Sequence, residues 1–107
     1  MKRINFSSSL IGKITSSKKK LTWRIGKKYG KLQPDMKIIL TEHHKKIRTA
    51  KILWVKRTTF GNLTKEDWEG HEKYPSKNEM YKTYSRYYKR RITPKTKLFV
   101  IRFELKK

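Results

Sequence analysis

The stretch from residue 81 to residue 91 contains side chains that could bind unpaired nucleic-acid bases and their phosphates. Tyrosines alternate there with cations: Tyr81, Lys82, Tyr84, Arg86, Tyr87, Tyr88, Lys89, Arg90 and Arg91. An exposed tyrosine ring can stack on a base, which contributes roughly 1–3 kcal/mol per base. Alternatively, the rings pack the segment onto the protein, which we expect for Tyr84 and Tyr88. The cations at 86 and 89–91 are predicted to contact phosphates, since three of them lie at or just beyond the end of a predicted helix.

Further clusters of cations are candidate contacts to RNA phosphates. They comprise Lys18, Lys19 and Lys20, then Lys27, Lys28 and Lys31, and finally Lys45 and Lys46. Arg24 has two alternative roles, because a guanidinium can clamp a phosphate through two hydrogen bonds or pair with a buried acid. The loop between Gly26 and Gly30 is basic, but it lacks the spacing and the lysine-serine end of a phosphate-binding P-loop.

Residue types that bind metals or perform thiol chemistry are scarce. The chain has no cysteine and three histidines. His43 and His44 are adjacent, so on a strand their side chains would point to opposite sides, and His71 is isolated in the sequence. We therefore expect no metal site, no disulfide and no cofactor.

The charge balance indicates the class of partner. Among 107 residues there are 30 Lys and Arg against 8 Asp and Glu, which gives a formal net charge of +22. A small domain with this charge repels itself unless a polyanion offsets it, and nucleic acid is the commonest such partner in the cytoplasm. Membrane binding is disfavoured because the cations are spread along the whole chain rather than along one amphipathic helix.

The length predicts a single domain over residues 1–107. Three Trp, six Tyr and four Phe allow a small hydrophobic core. No apolar run approaches the roughly 18 residues of a membrane-spanning helix, and no signal peptide is recognisable. We therefore expect a cytoplasmic protein without a membrane partner.

The hydrophobic periodicity predicts a strand-rich first half. It indicates a short extended segment from Ile4, a helix containing Leu10, Ile11 and Ile14, and strands over 21–25, 36–41 and 47–59. In the strand over 21–25, alternating apolar residues predict one buried face. In the long strand, Ile52 and Trp54 are expected to be buried.

Two helices and a strand are predicted in the second half. Thr64 with Asp67, and Ser76 with Glu79, have capping-box spacing and predict a brief helix before Gly70 and a longer one to about residue 88. The closing strand over 97–105 has one apolar face, made by Phe99, Ile101, Phe103 and Leu105. Strands dominate and helices cover the ends, which is typical of a small mixed α+β barrel.

Four motifs follow one another along the chain. They are Lys19–Arg24 (lysine, two-residue spacer, threonine, hydrophobic residue, arginine), the turn Leu32–Asp35, the helix entry Thr59–Asp67 and the final strand Val100–Leu105. In this order, and within residues 4–105, they resemble the ASCH domain family of the PUA-like superfamily. Two positions depart from the family pattern, because Ser17 and Asp35 stand where glycine is usual.

The resemblance implies a pseudo-β-barrel of five to six strands with two to three short helices, and a cleft associated with RNA binding. Some bacterial members are amidohydrolases that remove the acetyl group from N4-acetylcytidine with a lysine, a threonine and a glutamate. By motif, the lysine corresponds to Lys19 and the threonine to Thr22. The glutamate falls on Glu72 or Glu69 according to the gap, and an ungapped alignment places His71 there.

Together these features predict a basic RNA-binding protein, ribosomal or ribosome-associated, that stabilises rRNA through its phosphate backbone. Its partners would be rRNA and neighbouring ribosomal proteins. The alternatives are an amidohydrolase of N4-acetylcytidine or a related nucleoside, with Lys19, Thr22 and Glu72 at its site, and a stand-alone regulator that binds tRNA or mRNA. Catalysis is not favoured, because a phosphate-binding lysine run explains Lys19 and Thr22 is an ordinary strand residue.

Overall fold

The computed structural model describes residues 2–16 and 19–106. In chain order the elements are β1 (Lys2–Phe6), α1 (Ser8–Thr15), β2 (Leu21–Arg24), β3 (Lys37–Glu42), β4 (Lys45–Thr59), α2 (Lys65–Trp68), α3 (Lys77–Tyr88) and β5 (Lys97–Leu105). Single turns of 3-10 helix lie at Lys27–Lys31 and Phe60–Asn62. These five strands and three helices of the described chain confirm the predicted α+β class.

The five strands form one sheet in the order β1-β3-β4-β5-β2. The β1–β3 pair is parallel, and the other three pairs are antiparallel. The register shifts between Leu40 and Thr41 of β3 and between Ile52 and Trp54 of β4. Such irregularities bend a strand and increase its twist, and the sheet accordingly curls into a half-barrel.

Strand β5 separates two hydrophobic clusters. Ile101 and Phe103 lie in a cluster with β1, α1 and β3, whereas Leu98 and Val100 lie in a second cluster with α3. The expectation of a single apolar face on β5 is therefore incomplete, because both of its faces are buried. The sequence of a strand that is buried on both faces is nearly all apolar, whereas apolar and polar residues alternate in a strand with one solvent-exposed face.

Strand β2 departs from its prediction in the same way. Leu21, Thr22 and Trp23 are all buried, so a polar residue lies inside the protein on the face opposite Trp23. Ile25, predicted to continue the strand, lies just beyond its end and is half-buried. In β4, Ile52 is buried as expected, while Trp54 remains half-buried.

Helix termini follow the capping signals. Thr64 and Asp67 form the complete capping box of α2, and the Ser76 hydroxyl accepts a hydrogen bond from the Glu79 amide at the start of α3. Helix α3 ends at Lys89, whose φ of 52° is left-handed. The chain turns sharply there and leads towards β5. No helix within residues 2–16 and 19–106 is long and apolar enough to cross a membrane.

Candidate functional site

A cleft of about 280 Å³ opens between β2, the end of β1 and the last turn of α3. Its lining includes Asn5, Phe6, Thr22, Arg24, Glu72, Tyr87 and Tyr88. The cleft exists because β2 is an edge strand of the sheet and α3 packs across its end. We call this cavity the cleft.

Lys19 and Glu72 form a buried ion pair beside the cleft. The Lys19 side chain is 1% exposed, and its Nζ lies 2.6 Å from Oε2 of Glu72. Burial lowers the pKa of Lys19 to about 8, although the charge of Glu72 opposes this effect. Burial acts to raise the pKa of Glu72, but the nearby Lys19 outweighs it and holds that pKa below its ordinary value.

His71 is buried next to the same ion pair. Its ring stacks on Trp23 with 3.8 Å between ring centroids, and its Nδ1 is 2.8 Å from the Glu72 carbonyl oxygen. Since a carbonyl only accepts, Nδ1 carries the proton, and Nε2 can accept from the Tyr84 hydroxyl at 3.2 Å. Burial, reinforced by the charge of Lys19, lowers the pKa of His71 to about 3. His71 is therefore neutral at physiological pH.

Thr22 and Arg24 project from the same side of β2 into the cleft. The Arg24 Nε donates to the Thr22 hydroxyl at 3.3 Å, and Nη2 donates to the Asn5 carbonyl at 2.8 Å. The guanidinium also lies 4.6 Å from the centre of the Phe6 ring. Within the described residues, Arg24 does not pair with a buried acid, which was one of its two predicted roles. The Arg24 guanidinium instead contacts neutral groups at the cleft wall, namely the Thr22 hydroxyl, the Asn5 carbonyl and the Phe6 ring.

The tyrosines of α3 divide by exposure. Tyr84 is buried, and the half-buried Tyr88 stacks against it while accepting a hydrogen bond from the Ile25 amide at 3.1 Å. Both therefore pack the helix onto the sheet. Tyr81 is half-buried beside Phe60, whereas Tyr87 is 60% exposed at the rim of the cleft.

Most of the predicted phosphate contacts are exposed. These are Lys20, Lys27, Lys28, Lys31, Lys45, Lys46, Arg86, Lys89, Arg90 and Arg91. Lys18 lies outside the described residues. Lys19 differs from its neighbours in the sequence, because it is buried and bound by Glu72, which argues against a surface phosphate contact. The lysine run is thus not a uniform basic surface.

His43, His44 and the segment from Gly26 to Gly30 have structural roles in turns. His43 and His44 form the tight turn between β3 and β4, with φ values of 50° and 64°. In the described parts of the chain, no three His, Asp or Glu side chains are grouped closely enough to hold a metal ion. The segment from Gly26 to Gly30 enters a 3-10 turn whose Tyr29 is buried.

No protein-family model and no curated protein matches this sequence. Solved structures do match it. An ASCH domain from Lactobacillus crispatus JV V101 shares 13% identity, with a TM-score of 0.65 over 88% of this chain and 68% of that chain. The chain has an ASCH-like fold. A protein from Enterococcus faecalis V583, described by the family model DUF984, gives 14% identity and a TM-score of 0.67 over 91% and 69% of the two chains.

The ASCH-like fold is also similar along its whole length to the hypothetical protein PH0355. That match has 23% identity and a TM-score of 0.77, and it covers 99% of this chain and 100% of that chain. At these identities the comparisons establish the fold. They agree with the five-stranded half-barrel that the topology describes.

The structure clarifies the ambiguous glutamate position and one of the two departures from the family pattern. Glu72, rather than Glu69, contacts Lys19, and Glu69 is exposed. Asp35 has a φ of 69°, so it adopts in the turn before β3 the left-handed conformation that a glycine would adopt readily. Ser17, the other departure, lies outside the described residues.

Sequence reasoning missed a second concave surface in the ASCH-like fold. Arg57, Lys95 and Lys97 line it, and the sequence patterns indicate only strand or turn positions for these residues. Pairing of the predicted strands over 47–59 and 97–105 would have been the signal, because it places Arg57 and Lys97 on adjacent strands.

Proposed function

We propose that this protein binds RNA, with phosphates along its basic surface and an unpaired base at the cleft. The observation that carries the proposal is the surplus of uncompensated cations on a +22 chain. In the described residues, no arginine is paired with a carboxylate. Two of the few acids, Asp67 and Glu72, are instead bound to Lys56 and Lys19. Cations without protein partners are those that a polyanion can neutralise with release of counterions.

The cleft supports an unpaired base as the group recognised. Tyr87 is 60% exposed at its rim, so this ring is available to stack. The Arg24 guanidinium lies at the same cavity and adds a cationic plane. A volume of about 280 Å³ is at the lower limit for a small-molecule site and suits one base.

The test is binding of a short single-stranded RNA by Tyr87→Ala, with Tyr87→Phe as the matched control. Loss of the stacking ring should weaken binding by about 1–3 kcal/mol, roughly fivefold or more, while Tyr87→Phe should bind as the unchanged protein does. Fluorescence anisotropy at fixed salt measures both. Absence of RNA binding at 50 mM salt would refute the function, and equal binding by both variants would refute the stacking role.

The specific form of the proposal is a ribosomal or ribosome-associated role. It is supported by the small size and the density of cations, since phosphate contacts to folded rRNA need no sequence readout. Sucrose-gradient fractionation of cell lysate at low and high salt, with the chain followed by mass spectrometry, tests it. Co-migration with one ribosomal subunit at moderate salt supports this role. A chain found only in the soluble fraction at every salt would leave a tRNA or mRNA regulator as the form to pursue.

A second candidate function is amidohydrolysis of an acetylated cytidine. It is favoured by the Lys19–Glu72 contact of 2.6 Å and by the position of Thr22 on the wall of the cleft. A lysine with a pKa near 8 beside a carboxylate has the properties of an acid-base pair. Incubation with N4-acetylcytidine tests this. Release of acetate that Thr22→Val abolishes would support it, and no release by the unchanged protein would dismiss it.

A further inference from the structure

In the described part of the chain, a second concave surface is larger than the cleft and is lined by different residues. It is an open groove of about 1,010 Å³ beside the paired ends of β4 and β5, bordered by the start of the 3-10 turn and the loop that precedes β5. We call it the basic groove. Its lining includes Ile25, Lys27, Arg57, Thr58, Thr59, Arg90, Thr93, Lys95, Thr96, Lys97, Leu98 and Phe99.

The charges in the basic groove all have one sign. Five cations line it, Lys27, Arg57, Arg90, Lys95 and Lys97, and no carboxylate does. All five are exposed, and none forms an ion pair within the described part of the chain. Threonine hydroxyls between them add neutral donors. This set of groups suits successive phosphates rather than a single small anion.

The strands hold two of these cations in defined positions. Arg57 of β4 lies opposite Phe99 of β5, and Thr59 lies opposite Lys97. Arg57 and Lys97 are therefore diagonal neighbours on one face of the sheet, about 7–8 Å apart at the backbone.

The Phe99 ring and the space beside Gly30 define where the Arg57 side chain lies. Its guanidinium lies 5.2 Å from the centre of the Phe99 ring. Gly30 lies beside both groups, since a Cβ there would approach Phe99 Cζ to 3.3 Å and Arg57 Nη2 to 3.4 Å. The absence of a side chain at this position leaves room for the guanidinium. The groove is thus formed by the fold rather than by freely moving side chains alone.

The basic groove adjoins the cleft. Ile25 lines the groove and Tyr88 lines the cleft, and the Ile25 amide donates to the Tyr88 hydroxyl at 3.1 Å. Arg90, two residues beyond α3, lines the groove, while Tyr87 lines the cleft. A strand that leaves the cleft past the end of α3 therefore meets the groove directly.

We propose that the basic groove binds the backbone phosphates of the same RNA strand whose unpaired base lies at the cleft. This inference rests on the proposed RNA-binding function and assigns the path of the strand. Arg57 and Lys97 contact phosphates on the sheet side of the groove. Lys27, Arg90 and Lys95 contact them from the surrounding loops.

The experiment compares two double variants that remove the same charge. Arg57→Gln with Lys97→Gln alters the groove, and Lys65→Gln with Lys77→Gln removes two exposed lysines from α2 and the start of α3, beside the acidic residues Glu66 and Glu79. Affinity for a 12-nucleotide single-stranded RNA is measured by anisotropy from 50 to 300 mM salt. Circular dichroism establishes that both variants are folded.

We expect the groove variant to bind about tenfold more weakly at physiological salt. The slope of log K against log salt should become shallower by about 1.4, which corresponds to two phosphate contacts on a single strand. The α2–α3 variant should keep the slope of the unchanged protein. A second groove pair, Lys27→Gln with Lys95→Gln, should behave like the first, which guards against a local effect of either position.

The outcomes separate the inference from the function on which it rests. If the unchanged protein binds RNA and the groove variants match the α2–α3 variant in affinity and slope, the groove assignment is wrong while RNA binding stands. If the unchanged protein does not bind RNA, both are wrong. A shallower slope confined to the two groove variants supports the assignment.

Discussion

At the scale of single residues, the Lys19–Glu72 pair is the group of charges that the protein encloses most completely. Lys19 is 2% exposed, and its ammonium has Glu72 as its carboxylate partner. Breaking a buried pair costs more than the pair itself contributes, because one charge is left without a partner away from water. The stability of the protein should therefore depend on Glu72 and on the protonation of Lys19 together.

We predict that Glu72→Gln destabilises the protein by about 3 kcal/mol at pH 7. The folded-state pKa of Lys19 is about 8, below the value of 10.5 for a free lysine, so Lys19 loses its charge in the folded protein as pH rises through 8. Since Glu72 raises the pKa of Lys19, Glu72→Gln lowers that pKa below 8, so the loss should be largest near pH 6, shrink as pH rises to 8 and stay constant above about pH 9. Urea unfolding at several pH values measures it.

The matched control is Lys19→Met in the Glu72→Gln background. Replacing both charges by neutral groups of similar volume leaves no unpaired ion, so stability should return towards that of the unchanged protein. The pH dependence of the loss below pH 8 should also disappear. A Glu72→Gln penalty that is the same at pH 7 and pH 10 would contradict the role assigned to Lys19.

Only part of this site could be predicted from the sequence. The motif resemblance identified Lys19 and Thr22, but it left Glu69, His71 and Glu72 as alternatives, because gap placement in a short loop has no local signal. The burial of Lys19 between two other lysines could not be predicted either. It depends on where the chain approaches the 70–72 loop, and the Lys20 amide donates to the Gly70 carbonyl at 2.7 Å there.

At the scale of elements, helix α3 ends at Lys89, which has an unfavourable backbone conformation and is also a candidate RNA contact. Lys89 terminates the helix with φ 52° and ψ 41°, a left-handed conformation that is unfavourable for a residue with a Cβ. Glycine adopts it without a steric penalty and is the usual residue at this position. The lysine side chain is exposed and follows the exposed Tyr87 by two residues.

We predict that Lys89→Gly stabilises the protein and weakens RNA binding. Relief of the left-handed conformation exceeds the extra unfolded-state entropy of glycine, so we expect about 0.5–1 kcal/mol of added stability, a few degrees in Tm. If Lys89 contacts a phosphate, the salt slope should fall by about 0.7. Thermal unfolding and RNA anisotropy measure the two effects.

Lys89→Ala serves as the control for this pair of effects. It removes the same charge but retains a Cβ, so it should change the salt slope equally without the gain in Tm. A gain in Tm shared by both variants would mean that relief of charge repulsion, not backbone conformation, is responsible. A slope unchanged in both would remove Lys89 from the RNA contacts.

Element prediction succeeded where local chemistry decides the outcome. Thr64 and Asp67 form the expected capping box, and the helix predicted to end near residue 88 ends there. The prediction of buried faces was incomplete for β2 and β5, because an alternation of apolar and polar residues identifies the buried face only when the other face is exposed to water. The two hydrophobic clusters cover both faces of β5, and this arrangement follows from the sheet order rather than from the strand itself.

At the scale of the whole molecule, composition predicted the kind of partner but not its position. A net charge of +22 is a property of the total, and the basic groove exists because β4 and β5 pair in one particular register. The sheet order brings Arg57 and Lys97 together from positions 40 residues apart in the sequence. Two of the acids, Asp67 and Glu72, are largely buried and form ion pairs with Lys56 and Lys19.

The same charge surplus leads to a prediction about stability and salt. The principal extents of the molecule are 36 × 26 × 25 Å. At 10 mM ionic strength the screening length is about 30 Å, so nearly all cations repel one another, whereas at 150 mM it is about 8 Å and repulsion is confined to neighbours. Self-repulsion destabilises a compact state, and salt should therefore stabilise this protein. We expect Tm to rise by several degrees between 10 and 150 mM NaCl.

Thermal unfolding by circular dichroism measures this effect, with sodium sulfate at matched ionic strength as the control. Screening alone would give chloride and sulfate similar gains, whereas exclusion of sulfate from the protein surface or its binding at an anion site would make sulfate the more effective salt. A short single-stranded RNA at 10 mM ionic strength should raise Tm further, because a ligand of the folded state stabilises it. A Tm that is constant or falls with NaCl would mean that ion pairs, rather than uncompensated cations, dominate the surface, and would remove the electrostatic basis for binding RNA.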